Sequence, residues 1–356
     1  MTTLFMLLLS LTLIVVSGRS HFGQQVIIKA NNGQQYDCVD FYKQPAFGNH
    51  SLKLQAVPNL AKLQQQRQSA SDIGLGGQRC PIGTVPIMVR SKQNDDGFVV
   101  PKPHYLPRAV KNRDLHCSAK IQTKANNPNK KFFGVQGIIN VFKPLVQSSQ
   151  WSSARIKLLN GDESIEAGWM VNPEEFKDNE AHLYASFNVG RKRCINMDCQ
   201  SFVQVSTGIP LGVPSHMYSV IGGKQIGWSI SINKHQDDGN WWLTVANVKV
   251  GYWPKELFIT LKDAANQVEF GGEIDDPGMV NPPPAMGNGR QATDDTKDSS
   301  SIYQVTVVDE RFNNVNPPDT ESFENCNLLY TVLDYYKSDP NLGRIIFYGG
   351  PVWAGI

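Results

Sequence analysis

The segments Ser164-Ile165-Glu166-Ala167-Gly168-Trp169 and Phe270-Gly271-Gly272-Glu273-Ile274 each place one glutamate in a run of apolar and small residues. Both runs alternate as a β-strand does, with successive side chains on opposite faces. A carboxylate on an otherwise buried strand is costly unless it is paired, hydrogen-bonded or neutralised. Two such strands therefore indicate a pair of carboxyl groups in a cleft, a recurring acid–base device. The alternative is that each glutamate lies on the solvent face of an amphipathic strand.

Short alternating stretches separated by Gly, Asn and Pro continue in both directions from these segments, from His116 to the end of the chain. So many short strands favour an all-β fold, a two-sheet antiparallel sandwich. Strands are predicted at 134–142, 165–171, 181–189, 201–205, 226–233, 241–252 and 268–274. The segment from Asp275 to Ser301 interrupts the pattern directly after Glu273, and indicates either a disordered insertion or a flap over a site.

The first twenty residues have the pattern of a signal peptide. Leu4 to Val16 is an uncharged apolar run, and the small residues Ser17 and Gly18 follow it. The run is too short for a comfortable membrane span, and no later segment is long and apolar enough to be one. We therefore expect a secreted, extracellular protein without membrane association, in which disulfides are permitted. The sequon Asn49-His50-Ser51 is expected to be glycosylated.

Residues 21–115 differ in composition from the rest and predict a small α+β unit. A strand is expected near 26–30, a short polar helix at 60–68 and an extended element at 80–87. Residues 93–112 are rich in Pro, Asp, Lys and Arg, which indicates an exposed linker that proteases can cut.

Charge and cysteine content exclude several classes of function. The formal net charge is only +2, which gives no electrostatic case for nucleic acid. Six cysteines allow 15 complete pairings. Cys194 and Cys199 are close enough to form a local disulfide. Because no second Cys or His pair stands at ligand spacing, a zinc site is disfavoured, and we expect no metal and no cofactor. Neither a Gly-x-Ser-x-Gly elbow nor a His-Glu-x-x-His helix motif occurs.

Several blocks in order along the chain resemble the neprosin family of secreted plant proteins, which carry an activation peptide before a peptidase domain. Asp37 to Ala46 and Cys80 to Ile87 resemble the two blocks of the activation peptide. The blocks that resemble the peptidase domain are 138–144, 164–173, 194–199, 239–242, 251–254, 270–273 and 347–351. Two stretches depart from the family pattern, 281–285 in the long segment and 129–134.

The resemblance implies a glutamic peptidase that cleaves on the carboxyl side of proline in acid. It implies a lectin-like β-sandwich at 116–356, preceded by an inhibitory activation peptide at 21–115, and proline-containing peptides or proteins as substrates. The family's two catalytic glutamates match Glu166 and Glu273. Glu269 competes for the second role because it has the same strand parity as Glu273. Glu273 is preferred because it follows two glycines that let backbone or substrate approach closely.

The resemblance also implies a disulfide between Cys38 and Cys80, which lie in its two activation-peptide blocks. Cys117 and Cys326 are left without a firm partner. The family's partner for Cys326 would lie beyond Ile356, where the sequence stops.

Two carboxyls that share a proton can hydrolyse a peptide without a metal. Like charges close together cannot both ionise cheaply, so one pKa is expected to fall and the other to rise. The ionised glutamate would take a proton from water while the protonated one polarises the scissile carbonyl. Which glutamate is the base stays open, because the pair titrates as a unit. Two other classes remain: a two-carboxylate glycosidase and a catalytically inactive carbohydrate- or cell-wall-binding module on the same sandwich.

Overall fold

The computed structural model describes residues 26–30, 32–48, 59–65, 73–89, 114–125, 130–326, 329–339 and 341–351. The predicted signal peptide, the sequon at 49–51 and the linker at 93–112 lie outside the described residues. Within the described ranges, no helix is both long and apolar enough to cross a membrane.

The amino-terminal unit, the described residues before Asp114, contains a three-stranded antiparallel sheet. Its strands are β1 (Ile27–Lys29), β2 (Gln35–Asp40) and β3 (Thr84–Met88), and its helices are two 3₁₀ turns (Phe41–Lys43 and Pro45–Gly48) and α1 (Leu60–Gln64). Asp40 caps the first 3₁₀ turn by accepting a hydrogen bond from the Tyr42 backbone N–H. These elements match the α+β unit expected from the sequence.

In the rest of the described chain, the regular secondary structure is all β apart from one short helix, α2 (Pro173–Phe176), and one 3₁₀ turn (Lys255–Leu257). The strands are β4 (Asp114–Thr123), β5 (Gly134–Asn140), β6 (Trp151–Asn160), β7 (Glu163–Val171), β8 (His182–Val189), β9 (Lys192–Ile195), β10 (Val203–Gln204), β11 (Gly227–Lys234), β12 (Trp241–Val245), β13 (Val248–Trp253), β14 (Gln267–Pro277), β15 (Ser300–Val308), β16 (Asn314–Val315), β17 (Thr320–Glu324), β18 (Thr331–Asp339) and β19 (Gly343–Gly349).

These strands form two antiparallel sheets that pack face to face as a sandwich, so the predicted fold class is confirmed. One sheet has seven strands in the order β17-β4-β14-β6-β7-β8-β9. The other has nine, in the order β10-β13-β12-β11-β5-β15-β19-β18, with β16 paired to β15. Alternation decides which side of each strand faces the core. On β6, Ala154, Ile156 and Leu158 are fully buried in the core, whereas Arg155 and Lys157 project from the opposite face.

The stretch predicted as one strand at 241–252 is a hairpin of two strands, β12 and β13. Ala246 and Asn247 form its tight turn, with φ of 47° and 64°. Two consecutive positive φ values are what a type I′ hairpin turn requires. The apolar run continues through this turn, which explains why the sequence pattern did not divide it.

The long segment after Glu273 is ordered and anchored in the sandwich, so its interpretation as a disordered insertion is wrong. Strand β14 continues to Pro277 before the segment leaves the sheet. Met286 is fully buried in the core, and its backbone N–H donates to the Gly350 carbonyl at 2.7 Å. The hydroxyl of buried Tyr330 donates to the Pro284 carbonyl at 2.7 Å.

All six cysteines are paired. The predicted disulfides Cys38–Cys80 and Cys194–Cys199 are confirmed. The two cysteines left without a firm partner bond to each other, joining Cys117 on β4 to Cys326 after β17. The expectation that Cys326 pairs beyond the end of the sequence is therefore wrong. The neighbouring strands β4 and β17 bring the two residues together.

Part of the amino-terminal unit packs against the nine-stranded sheet, on the face turned away from the core, whereas Tyr36 and Leu75 join the main core cluster. Phe41 and Phe47 form a buried apolar cluster with Trp242 and Tyr252 of β12 and β13. The side chains of Gln44 and Gln204 add polar contacts: Gln44 Nε2 donates to the Gln204 carbonyl at 3.1 Å, and its Oε1 accepts from the Gln204 N–H at 2.7 Å.

Candidate active site

Both predicted site residues lie on the seven-stranded sheet, and Glu269 lies with them. Glu166 is on β7, and Glu269 and Glu273 are on β14, with β6 between these two strands. Glu166 and Glu269 are both opposite Lys157 of β6, from its two sides, whereas Glu273 is opposite Ser153. All three carboxylates project from the outer face of this sheet, because their neighbours along each strand point into the core.

The three carboxylates are nevertheless buried. Residue exposure is 3% for Glu166, 4% for Glu269 and 7% for Glu273. The interpretation that each glutamate lies on a solvent-exposed face is therefore wrong, and the pairing of the two carboxyl groups in a cleft stays a prediction. The glutamates do lie on the side of the sheet away from the core, but they are withdrawn from water there and need compensation.

Arg155 supplies much of that compensation from the middle of the group. Its side chain is 1% exposed. Nε lies 3.4 Å from Oε2 of Glu166, and Nη2 lies 2.9 Å from Oε2 of Glu269 and also contacts Oε1 of Glu273. One buried guanidinium therefore contacts all three carboxylates and links β7 to β14 across β6.

The two residues opposite Arg155 on the neighbouring strands are glycines, so no side chain stands directly beside it there. Gly168 of β7 and Gly271 of β14 are its partners in register. A Cβ on Gly168 would lie 1.8 Å from the Ala154 carbonyl oxygen, and one on Gly271 would lie 2.2 Å from that of Ala119. Close backbone approach thus requires glycine at both positions. The guanidinium is then reached by glutamates two residues along each strand.

The glycine pair before Glu273 serves the packing of the sheet. Gly271 allows β4 to approach β14, as described above. A Cβ on Gly272 would point to the other side and lie 2.6 Å from Cγ of Met286 and 2.8 Å from Cδ2 of Tyr348. The sequence analysis expected these glycines to let either backbone or substrate approach. The contacts above show that protein groups approach both glycines closely.

Three further cations surround the carboxylates. Lys157 Nζ lies 3.2 Å from Oε2 of Glu166, and Arg193 Nη2 lies 3.4 Å from Oε1 of the same residue. Lys120 Nζ lies 2.6 Å from Oε1 of Glu269. Together with Arg155, four cationic side chains thus face three carboxylates, so the cluster is fully compensated when every glutamate is ionised.

Two hydroxyl groups complete the surroundings of the predicted dyad. The Tyr184 hydroxyl donates to Oε1 of Glu166 at 3.4 Å. The Ser118 hydroxyl donates to Oε1 of Glu273 at 3.3 Å. Each glutamate of the pair therefore has one neutral donor in addition to its ion pairs, which favours its ionised form.

Charge, more than burial, decides the protonation of the site. Burial raises the pKa of Glu166, but Lys157, Arg155 and Arg193 together hold it below its usual value. Burial likewise raises the pKa of Glu273, and Arg155, followed by Lys157, holds it well below its usual value. The expectation that one pKa of the pair rises while the other falls is therefore wrong. The reason is that one guanidinium, that of Arg155, contacts both carboxylates.

Glu269 and Glu273 differ in ways that bear on the second site residue. The Glu269 carboxylate is held by Lys120 as well as Arg155, and its side chain is 5% exposed. The Glu273 side chain is 9% exposed, and its charge raises the pKa of Glu166, so these two carboxylates interact electrostatically. These differences favour Glu273 as the partner of Glu166, an assignment that stays a prediction.

Sequence reasoning missed the cations. The signal was present on β6, where Ser153, Arg155 and Lys157 alternate with apolar residues. Such alternation predicts a strand with one charged face. It does not reveal that two glutamate-bearing strands flank this particular strand.

Comparison with known proteins identifies the class of protein. The neprosin family model matches residues 148–351, more than half of the chain, so the chain belongs to the neprosin family. The match includes Glu166, Glu269 and Glu273 as well as Arg155. Membership of this family supports a peptidase of the glutamic type.

The solved structures that are similar to the chain include three peptidase complexes. Two are scytalido-glutamic peptidase with transition-state analogues, at 11% and 10% identity and TM-scores of 0.38 and 0.35. The third is SCP-B, an eqolisin-family peptidase in complex with the tripeptide Ala-Ile-His, at 11% identity and a TM-score of 0.35. Each alignment covers 67% of this chain and 98% of the other. With TM-scores this low, the assignment of the site depends on the family match and on the geometry above.

Proposed function

We propose that this chain is a secreted glutamic endopeptidase that cleaves after proline at acid pH, with Glu166 and Glu273 as its catalytic dyad. The observation that carries the proposal is that these two glutamates, both buried on one face of the seven-stranded sheet, contact the same guanidinium. Buried, interacting carboxyls in a peptidase family are candidates for acid–base roles. The preference for proline is proposed from the family resemblance.

In the proposed reaction, acid adds one proton to the pair. The carboxylate that remains ionised accepts a proton from the attacking water, and the protonated glutamate donates a hydrogen bond to the scissile carbonyl oxygen. Arg155 stabilises the carboxylate that stays ionised, because it contacts both members. At higher pH both are ionised, the hydrogen-bond donor is lost and activity falls.

We also propose that the protein is made as a zymogen, with residues 21–115 as its activation peptide. The described part of this region buries Phe41 and Phe47 against Trp242 and Tyr252 of the nine-stranded sheet. These contacts support a role in folding for the activation peptide. These contacts lie on a different sheet from the glutamates, so they do not explain inhibition. The proposed inhibitory role of the activation peptide is tested by acid activation of the full chain.

The proposal is tested with the full secreted chain and a pair of peptides. One peptide contains a single proline, and the other has alanine in its place. Both are incubated with the protein from about pH 2 to pH 7, a range that spans the ordinary pKa of glutamate, and the products are identified by mass spectrometry. We expect a cut after proline in acid only, and none in the alanine peptide. Cleavage of neither peptide at any pH would contradict the proposal.

The ion pairs favour one second candidate, a catalytically inactive carbohydrate- or cell-wall-binding module. Four cations that neutralise three buried carboxylates can serve the structure alone. This candidate predicts retention on insoluble plant polysaccharide with no peptide cleavage. It also predicts that Glu166→Gln leaves retention unchanged, which separates the two functions.

A further inference from the structure

We propose that Arg155 is a positioning residue of the dyad, which bridges the two carboxylates as a cation and confines the singly protonated, reactive form to strongly acid conditions. This inference rests on the proposed function, because it concerns how the Glu166–Glu273 pair takes up its proton. The guanidinium occupies the place between the carboxyls that a shared proton would occupy in a simple dyad.

The position of Arg155 in the sheet suits it to this role. Glu166 is opposite Lys157 and Glu273 is opposite Ser153, so the two glutamates are offset by four residues along β6. Arg155 is midway between these two positions. Its Nε contacts Glu166 on one side while its Nη2 contacts Glu273 on the other. Arginine is long and has several separate N–H donors, so it can contact both glutamates across this offset. A direct carboxyl–carboxyl hydrogen bond would require the two glutamates to come closer together.

The lysines on the same face make more local contacts. Lys157 forms its ion pair with Glu166, and Lys120 forms its own with Glu269. Both are about one-seventh exposed, at 14% and 13%, whereas Arg155 is 1% exposed. Burial weakens screening by water and salt, so the charge of Arg155 acts strongly on both members of the dyad. Its effect exceeds that of Lys157 on the pKa of Glu273, whereas Lys157 has the larger effect on the pKa of Glu166.

The remaining charged and titratable groups around the dyad come from the neighbouring strands. Strand β9 contributes Arg193, β8 contributes Tyr184, and β14 contributes Glu269. On β4, His116 Nδ1 lies 3.4 Å from Oδ1 of Asp275 at the edge of the group. Removal of Arg155 would leave three cations around three carboxylates in the cluster. The dyad would then take up its proton at a higher pH.

Electrostatics agree with this role. Burial lowers the pKa of the Arg155 guanidinium, but Glu273, Glu269 and Glu166 together raise it well above its usual value. Arg155 therefore stays charged wherever the glutamates titrate. Among the groups that lower the pKa of Glu273, Arg155 has the largest effect.

The test measures proton occupancy directly and does not require activity. Full-length protein with ¹³C at glutamate Cδ is titrated by NMR, and the dyad signals are assigned with Glu166→Gln and Glu273→Gln. In the wild type, we expect both signals to titrate below the ordinary glutamate midpoint of about 4.3. In Arg155→Gln, at least one dyad midpoint should rise by about one pH unit or more.

The matched control is Lys120→Gln, which removes a positive charge from the same face at a residue paired with Glu269. We expect it to move the dyad midpoints much less than Arg155→Gln does. Equal shifts in the two variants would overturn the proposal, because the effect would then be one of general charge. An unchanged pair of midpoints in Arg155→Gln would overturn it as well.

A charge-balanced variant covers the case in which Arg155→Gln does not fold. Arg155→Gln combined with Glu269→Gln removes one charge of each sign. The dyad midpoints should still rise, but by less than in Arg155→Gln alone, because loss of the Glu269 charge acts in the opposite direction. If this variant also fails to fold, the proposal is tested by the wild-type titration alone. A wild-type dyad signal that titrates above the ordinary glutamate midpoint would overturn the proposal.

The pH profile of kcat/KM links this inference to catalysis while keeping the two claims separate. In Arg155→Gln, the limb on which activity falls with rising pH should move up by about one unit, in step with the NMR midpoint. If the wild type cleaves no peptide at any pH, the proposed function fails, whereas the NMR result still decides the role of Arg155. An NMR shift without a shift of the activity limb would overturn the claim that Arg155 controls the reactive form.

Discussion

Arg155 and Glu166 form an ion pair that water scarcely reaches, with Nε 3.4 Å from Oε2 and side-chain exposures of 1% and 4%. The same guanidinium contacts Glu273 on the other side of β6. Three strands of one sheet are thus joined at the point where the family resemblance places its two catalytic glutamates. The stability of this part of the sheet and the proposed chemistry therefore depend on the same three charged side chains.

A separate glutamate, Glu163, should make a measurable contribution to stability. Its carboxylate accepts backbone N–H hydrogen bonds from Ile259 at 2.7 Å, Thr260 at 2.8 Å and Leu261 at 2.7 Å. Glu163→Gln replaces one acceptor oxygen by an NH₂ group that would face these donors. We expect the free energy of unfolding to fall by about 2–3 kcal/mol near neutral pH, measured by urea denaturation. Glu310→Gln, at an exposed position, is the control and should change little.

The contribution of Glu163 should also depend on pH with a definite sign. Burial raises its pKa, but the hydrogen bonds from Leu261, Ile259 and Thr260 outweigh burial and lower it. A lowered pKa in the folded state gives stability that is complete above the unfolded value of about 4.3 and is lost as pH falls through the folded value. The difference between wild type and Glu163→Gln should therefore shrink from pH 6 towards about pH 2. A difference that stays constant over this range would contradict the assignment.

The disulfides should differ in their effect on stability according to the loops they close. Cys117 and Cys326 are 209 residues apart in sequence, whereas Cys194 and Cys199 are 5 apart. On the chain-entropy model, removing the first by a double Cys→Ala substitution costs about 5 kcal/mol, and removing the second costs about 2 kcal/mol. Thermal unfolding of the two variants under the same conditions should reproduce this order. The reverse order would show that native-state packing, and not loop closure, dominates.

Activation should release the amino-terminal unit without reduction of any disulfide. Cys38 and Cys80 both precede residues 90–113, and the other two bridges lie entirely after them. Cleavage within the 114–123 strand is disfavoured because its backbone pairs with β14 and β17. Acid incubation of the full chain should therefore give a mature fragment that begins after Lys92 and before or at Asp114, separable on a non-reducing gel. Full activity of the uncut chain would contradict the zymogen proposal.

The strands that carry the glutamates could be predicted from sequence because alternation is a local property. Residues 165–171 and 268–274 do form strands, and Glu269 and Glu273 do share a face, since the side-chain period of a strand is two. The same reasoning predicted the two-sheet sandwich, because it depends only on patterns among residues that are close in sequence.

The electrostatic state of the site could not be predicted in this way. Arg155 reaches Glu166 across the β6–β7 hairpin, but it reaches Glu273 only because β14, which is distant in sequence, pairs with the other side of β6. The Cys117–Cys326 bridge likewise depends on β4 lying next to β17. The Arg155–Glu273 contact and the Cys117–Cys326 bridge both join residues that are far apart in sequence, where spacing carries no information about proximity.

The central claim, that Glu166 and Glu273 are the catalytic dyad, is tested most directly by kcat/KM for a proline-containing peptide in acid. Glu166→Gln, Glu273→Gln and the matched control Glu269→Gln are compared with the wild type. Gln keeps the size of the side chain but cannot exchange the proton. We expect each dyad variant to lose about 100-fold or more, the double variant to be little worse than either single one, and Glu269→Gln to retain most activity. An inactive Glu269→Gln with an active Glu273→Gln would contradict the assignment of the second glutamate, and activity in all three variants would contradict the glutamic-peptidase account.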